Sequence, residues 1–327
     1  MMKAIDFSST SELNIVDVAK PDAVKDGELL IKVVSAVIDS AVKQVAEGLP
    51  FAGMLHSGKK KGEPFMLGWN YAGTVEKVGS GVEGFAVGDE VFGLLQYSSG
   101  NAQGSFAEYI TVASDSCAKK PEKVPFDVAA ASCTDATTAL QGIRDDGKLK
   151  KGQRILILGG GGGVGIAAVQ IAKALGASHV TATCSIRDVE RVKSHGADTV
   201  VDRSKMHPKD IKDEFDVVFD ATGKYSAYDF MGKLRRGDGR FSTTLPNMGT
   251  LWGILWAVVT MSNWPAFVHC TSKRLDMELI GDWLSSEQVK ITVDSTFKVK
   301  DVSEAIKRQA ARAKVGRVTL DVANGWD

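Results

Sequence analysis

The stretch ILILGGGGGVGIAAVQIAKALGA, Ile155–Ala177, decides how this chain is read. The apolar run Ile155–Leu158 is followed by five consecutive glycines, Gly159–Gly163, and then by Gly165. Beyond them the apolar residues of VGIAAVQIAKALGA recur at helical intervals, and Gly176 marks the stop. Glycine inside an element costs roughly 0.5–1 kcal/mol against alanine, so a row of them at a strand-to-helix junction needs a reason. Gly160, Gly162 and Gly165 match G-x-G-x-x-G. The first glycine permits a tight turn, the second lets backbone approach a pyrophosphate, and the third lets helix and strand pack closely. A helix opening there offers unpaired N–H groups and the positive end of its dipole to an anion. The expectation is a dinucleotide-binding turn formed by Gly160, Gly162, Gly163, Val164 and Gly165. A glycine turn made only for packing is the plainer alternative. The correct flanks on both sides, and the strand–helix units that follow, weigh against it.

Those units extend the pattern outward. HVTATC, DTVVD, FDVVFDATG and GRFSTTL read as strands, with helices in RDVERVKSHGA and AYDFMGKL between them. Such alternation implies a parallel sheet with helices on both faces. Before it, FDVAAASCTDATTALQGIRD is helical in spacing. The first 120 or so residues are different: ELLIKVVSAV, YAGTVEKVGS, EGFAVGDEVFG and GSFAEYITVA are short β-type runs punctuated by glycine. The tail carries a helix in RLDMELIGDWLSSEQ, an extended VKITVDSTF, a helix in VKDVSEAIKRQAARA and a closing strand in VGRVTLDV.

Bulk properties bound the function. A chain of 327 residues suggests about two domains. Forty basic and forty acidic residues cancel, which argues against a nucleic-acid partner. Lys59–Lys61 is the tightest basic run and reads as a solvated loop. Cys117, Cys133, Cys184 and Cys270 are scattered, without a C-x-x-C pair, so neither a disulfide framework nor a cysteine-rich zinc site is expected. MMKAIDFSST lacks the apolar centre of a signal peptide. The expected location is cytoplasmic, or an organelle if a transit peptide was removed. The apolar run Leu251–Met261 is too short for a membrane span, which needs roughly 20 residues. It is expected to be a buried helix, a pocket wall or a subunit interface.

The second strand of a dinucleotide-binding unit reports on the cofactor. NAD sites place an acid about 20 residues on, to hold the ribose hydroxyls. Here Thr183, Cys184 and Ser185 occupy that region and Arg187 follows. A hydroxyl and a guanidinium suit a 2′-phosphate, which an acid would repel. The expected cofactor is therefore NADPH, with Ser185 and Arg187 on its 2′-phosphate and Arg203 as a second clamp. For each arginine the alternative is an ordinary exposed position. Thr222 is assigned to the cofactor as well.

Taken together, LGWNYAGTVEKVGSGVEGFAVGDEVFG, GSFAEYITV, GGGGGVGIAAVQIAKALGASHVTATC, VKSHGADTVVD and VGRVTLDV resemble the medium-chain dehydrogenase/reductase superfamily. The chain is similar to its zinc-independent, quinone-oxidoreductase-like branch, which includes chloroplast-envelope homologues. The resemblance implies an α/β fold: a GroES-like β domain plus a Rossmann doubly wound parallel sheet. Residues 1–124 and 271–327 would form the first and 125–270 the NADPH-binding second, with the substrate cleft at their junction. It also implies a homodimer, the sixth Rossmann strand near GRFSTTL pairing across subunits. Zinc-dependent members carry a catalytic metal beside a Gly-His-Glu motif, whereas the matching place here reads Gly68-Trp69-Asn70. No metal is expected, and the implied reaction is hydride transfer from NADPH to a quinone or an α,β-unsaturated carbonyl.

The site residues implied are less settled. Asp39, in AVIDSAVKQVAEG, stands where the family carries Asn. Two readings stand for it: a protonated acid donating to the substrate, or the N-cap of the helix that follows. Asp39, Lys43 and Asn70 are the catalytic candidates, and Trp69, Tyr71 and Trp252 are placed around the substrate. Thr138 matches the family's threonine near the nicotinamide amide, and Asp135 is unusual for its position. Two other functions stay open: an NADPH-binding protein with a structural or regulatory role, and a trans-acting enoyl reductase of a biosynthetic pathway.

Overall fold

The computed structural model describes residues 1–7, 13–46, 64–96, 103–245, 265–311 and 313–327. The chain divides into two compact units. One comprises Met1–Cys133, Thr271–Ser285 and Ile291–Asp327; the other comprises Thr134–Cys270 and Ser286–Lys290.

The first unit is β-rich. β1 (Met2–Asp6) and β2 (Asn14–Val18) form an antiparallel pair. A seven-stranded sheet is organised around β3 (Glu28–Ile38), which pairs with β4 (Asn70–Val78), β6 (Tyr109–Ala113) and the C-terminal β15 (Arg317–Asp321). β5 (Glu90–Leu94) joins β4 to β7 (Cys117–Lys119), and β14 (Val293–Lys298) lies outside β15. Leu29, Leu30 and Ile31 are all buried, so the start of β3 does not alternate as a half-exposed strand would. The register between β3 and β4 slips at Leu30/Ile31 and again at Val33/Ser35. Such bulges bend a strand and increase its twist. Gly73 lies at the second, and a Cβ there would stand 2.2 Å from the carbonyl oxygen of Lys32. A short helix, α1 (Ser40–Ala46), follows β3 directly.

α2 (Phe126–Leu140) is lined with Ala, Ser and Cys and buried on most of its faces. The boundary between the units falls within it. Its continuation, Gln141–Asp146, widens into a π turn, with Gly142 against Phe219 and Val268.

The second unit is a six-stranded parallel sheet. Its strands are β8 (Arg154–Leu158), β9 (His179–Cys184), β10 (Thr199–Asp202), β11 (Val217–Asp220), β12 (Arg240–Thr243) and β13 (Ala266–Phe267). They run in the order β10-β9-β8-β11-β12-β13, with every pairing parallel. The order reverses between β8 and β11, and the carboxyl ends of strands at such a point are where ligands bind. β8 is followed by α3 (Gly163–Ala174) and β9 by α4 (Val189–Ser194). Leu156, Leu158, Phe215, Val218, Phe230 and Phe241 form one apolar cluster on the sheet. The tail adds α5 (Arg274–Ser285) and α6 (Val302–Ala310).

Three expectations change. GRFSTTL holds β12, the fifth strand, and the sixth strand is the two-residue β13. AYDFMGKL forms tight 3₁₀ turns at Ala227–Lys233, where Tyr228 is exposed and only Ala227 and Phe230 are buried. The N-terminal β1–β2 pair went unread, because each strand is only five residues long. Lys59–Lys61 and Leu251–Met261 lie outside the described residues. No described helix is long and apolar enough to cross a membrane.

Candidate functional site

Each glycine of the turn after β8 meets a different constraint. Gly159 has φ +86°, and a Cβ on it would come within 2.2 Å of Thr222 Cγ2. A Cβ on Gly160 would lie 2.9 Å from that of Ala182, and one on Gly165 would lie 2.1 Å from the carbonyl oxygen of Gly159. Gly162 is exposed, and the nearest atom to a Cβ there is 3.6 Å away. The turn is thus closed toward the sheet and open at Gly162. Backbone N–H groups of Gly159 and Gly160 donate to the carbonyl of Thr183 at 3.1 and 2.7 Å, which ties the turn to β9.

α3 begins at this open side. Its N-cap is Gly162, and no side chain caps it. Ile166 N–H donates back to the carbonyl of Gly162 at 2.8 Å. The first-turn N–H groups of Gly163, Val164 and Gly165 therefore lack a side-chain acceptor, the arrangement that receives a phosphate. These residues fit a dinucleotide. Thr222 closes the other side: its hydroxyl donates to Asp220 Oδ1 at 2.6 Å, and Asp220, at the end of β11, is fully buried.

The loop after β9 is more tightly bound than the sequence suggests. Ser185 Oγ donates to Asp188 Oδ2 at 2.5 Å. Arg191 donates to Asp188 Oδ1 and to the carbonyl of Gly161, both at 2.7 Å. Burial pushes the Asp188 carboxyl up, but the bonds from Arg191 and Ser185 outweigh it and hold the group below its ordinary range. Arg187 is 57% exposed at its side chain and lies 3.7 Å from Asp188. Arg203 is exposed one strand over, and its backbone N–H donates to the carbonyl of Cys184 at 3.0 Å. Asp188 and Arg191 were not singled out from sequence. Their signal was the i, i+3 spacing of opposite charges at a helix start.

The catalytic candidates form a second cluster, in the β-rich unit. Asp39 sits between β3 and α1 and is 3% exposed; Asn70, the first residue of β4, is 1% exposed. Asp39 Oδ1 accepts from Val42 N–H at 2.8 Å, which is an N-cap bond, and Oδ2 accepts from Asn70 Nδ2 at 3.0 Å. Toward both partners the carboxylate is an acceptor. Lys43 is half-buried on α1, its N–H donating to the Asp39 carbonyl at 3.2 Å, and Trp69 is nearly buried.

Tyr71 departs from expectation. As the next residue of β4 its side chain takes the opposite direction from Asn70, and it is 0% exposed. It lies in the core beside Cys117 and Cys133 rather than on an accessible wall. Burial raises all three groups, Cys117 to about 12, so this trio holds no nucleophile at neutral pH. Thr138 and Asp135 are both buried on α2, and Trp252 lies outside the described residues. Among the described residues, no three His, Cys, Asp or Glu side chains gather to hold a metal ion.

Comparison with known proteins agrees with this architecture. The model of the alcohol dehydrogenase GroES-like domain matches residues 25–122, and that of the zinc-binding dehydrogenase matches residues 163–244. The chain belongs to the medium-chain dehydrogenase/reductase superfamily, in its quinone-oxidoreductase-like branch. It is 37% identical to a 2-methylene-furan-3-one reductase of Solanum lycopersicum, over 68% of this chain and 58% of that protein. It is 37% identical to the chloroplastic NADPH-dependent alkenal/one oxidoreductase of Arabidopsis thaliana, over 65% of this chain and 56% of that protein. The match thus spans less than two thirds of either relative's length. Among solved structures, the quinone oxidoreductase of Coxiella burnetii superposes with a TM-score of 0.84 at 25% identity, covering 98% of this chain and 99% of that one.

Proposed function

We propose that this chain is an NADPH-dependent oxidoreductase that delivers hydride to a quinone or to the conjugated double bond of an enone or enal. The observation that carries it is the glycine turn, closed toward the sheet and open at Gly162 before an uncapped helix. Two relatives named as reductases of furanones and of alkenals or alkenones support the substrate class, and the second supports NADPH. The residues that would hold the dinucleotide are Gly160–Gly165 and Thr222 at the turn, Thr138 near the nicotinamide, and Arg187 and Arg203 at the 2′-phosphate. When bound, the nicotinamide supplies the hydride.

The protein's part is to orient the acceptor and to hold the negative charge that develops on its oxygen. Lys43 and the Asn70 amide are the groups proposed for this, with Trp69 as an apolar wall. We take the chemistry to be metal-free, since Trp69 and Asn70 replace the imidazole and carboxylate of zinc-dependent members. Residues 1–124 and 271–327 are assigned to substrate and 125–270 to the dinucleotide. A homodimer and an organellar or cytoplasmic location complete the proposal; the chloroplastic relative supports an organelle.

A second reading, an NADPH-binding protein with little catalysis, draws support from Asp39. Both of its oxygens accept from N–H donors, so it serves the fold rather than offering a proton. Nicotinamide absorbance followed against quinones, enones, enals and acyl thioesters, with NADPH and with NADH, separates the two. Turnover on one acceptor class is expected. Tight NADPH binding with no turnover on any acceptor would move the conclusion to the second reading.

A further inference from the structure

Asp188 stands where a negative charge should count most. Its side chain packs on the backbone of Gly161, where an added Cβ would lie 2.8 Å from Oδ2. An acid beside this turn normally does two things: it accepts from the ribose hydroxyls, and it repels a 2′-phosphate. Asp188 is hindered in both roles by the partners it already has. Ser185 occupies Oδ2, and Arg191 occupies Oδ1 while supplying the opposite charge. Arg191 also spans to the Gly161 carbonyl, so carboxylate, guanidinium and glycine turn form one unit. The pair is half-buried, with side-chain exposures of 18% for Asp188 and 23% for Arg191, so water screens it less than a fully exposed pair. Arg187, 57% exposed, adds a longer and looser contact, its Nε 3.7 Å from Asp188 Oδ2.

We propose that Arg191 sets the dinucleotide preference of this protein by masking Asp188. While the pair holds, the turn accepts a dinucleotide bearing a 2′-phosphate; with Arg191 removed, the freed carboxylate turns the preference toward the unphosphorylated form. The proposal deepens the NADPH reading and rests on it. Arg191 is a positioning residue, since it acts through Asp188.

The test is the dissociation constant of NADPH and of NADH, read by nicotinamide fluorescence without any acceptor. It is applied to the wild type, Arg191→Leu, Asp188→Asn and the double variant, with thermal melts alongside. Arg191→Leu is expected to weaken NADPH by about tenfold, since it leaves a half-buried carboxylate without its closest cation, while NADH binds as tightly as before or more so. The double variant is expected to return NADPH affinity to within about threefold of wild type, because no charge is left to mask and the two substitutions are coupled. Equal loss of both dinucleotides in Arg191→Leu, unrelieved in the double variant, would show that Arg191 only braces Gly161, and would overturn the proposal. If Arg191→Leu does not fold, Asp188→Asn beside Arg191→Gln decides: both bonds leave the single Nη2 of Arg191, and glutamine keeps an N–H donor there without the charge. A ratio of NADPH to NADH affinity that falls in Arg191→Gln and not in Asp188→Asn supports masking, and a ratio unmoved in both overturns it. A wild type that binds neither dinucleotide overturns the cofactor reading itself, and this proposal with it.

Discussion

The junctions Leu158–Gly163 and Ile38–Ser40 both hand a strand over to a helix, and they treat the helix start in opposite ways. At the first, no side chain caps α3, and glycines keep the approach to its N–H groups clear. At the second, Asp39 bonds Val42 N–H and is itself held by Asn70. A helix N-terminus carries a partial positive charge that some acceptor must meet. α1 meets it with its own side chain, and α3 leaves it for a ligand. The difference teaches where to look for chemistry: a residue that completes the fold is poorly placed to do anything else, whereas a deliberate vacancy in side chains is an invitation.

Several substitutions break or sharpen that contrast. The largest effect is expected from Gly165→Val. Its Cβ would overlap the Gly159 carbonyl at 2.1 Å, against backbone that has no room to move. A loss of about 3 kcal/mol or more is expected, with no measurable dinucleotide binding. Asp39→Ala comes next. It removes a cap worth about 1 kcal/mol and breaks the buried bond from the Asn70 amide, worth about 1–3 kcal/mol, so urea unfolding should show a loss of roughly 2–4 kcal/mol. Asp39→Asn retains a capping oxygen and should cost less. An Asp39→Ala protein that is fully stable yet inactive would reverse the contrast and make Asp39 catalytic.

Gly162→Ala is the counterpart to Gly165→Val. The φ of −83° suits any residue, and the new Cβ meets nothing nearer than 3.6 Å. Stability should change by no more than about 1 kcal/mol, while the NADPH dissociation constant should rise about tenfold because the methyl occupies the phosphate approach.

The effects on pH dependence differ in sign between the units. Arg308 holds the Asp294 carboxyl down at about 2, so its contribution is present above the unfolded value of about 3.9 and is lost as pH falls toward 2. Arg308→Gln should flatten that acid limb in urea titrations. Asp146 is pushed up to about 6 by burial and by Asp145, so its contribution is fully present below the unfolded value of about 3.9 and is lost as pH rises through about 6. Asp146→Asn should stabilise the protein at pH near 8 and make no difference near pH 3, below the unfolded value.

Much of the architecture was legible because it repeats along the chain. The switch from period two to period 3.6, the glycine punctuation of the β-rich unit and the apolar β8 are local patterns, and local patterns survive in one dimension. Ser185 and Arg187 could be pointed to because residue type and strand position alone suggested them. Tyr71 was drawn into the site by its neighbours Trp69 and Asn70, and its full burial beside Cys117 and Cys133 depends on strands distant in sequence.

From the sequence alone came the two fold types, the place of the glycine turn and the residue types flanking it. Those follow from backbone sterics and short-range periodicity, which act between near neighbours. Only the tertiary structure decided which charges are spent and which are available. Asn70 reaches Asp39 across 31 positions and Arg191 reaches Gly161 across 30. Contacts at that range depend on how strands are ordered and loops return, and so on the whole sheet. That is why the pairing of Asp39 with Val42 and Asn70, the pairing of Asp188 with Ser185 and Arg191, and the place of β13 as the last described strand on its side of the sheet came from the fold alone.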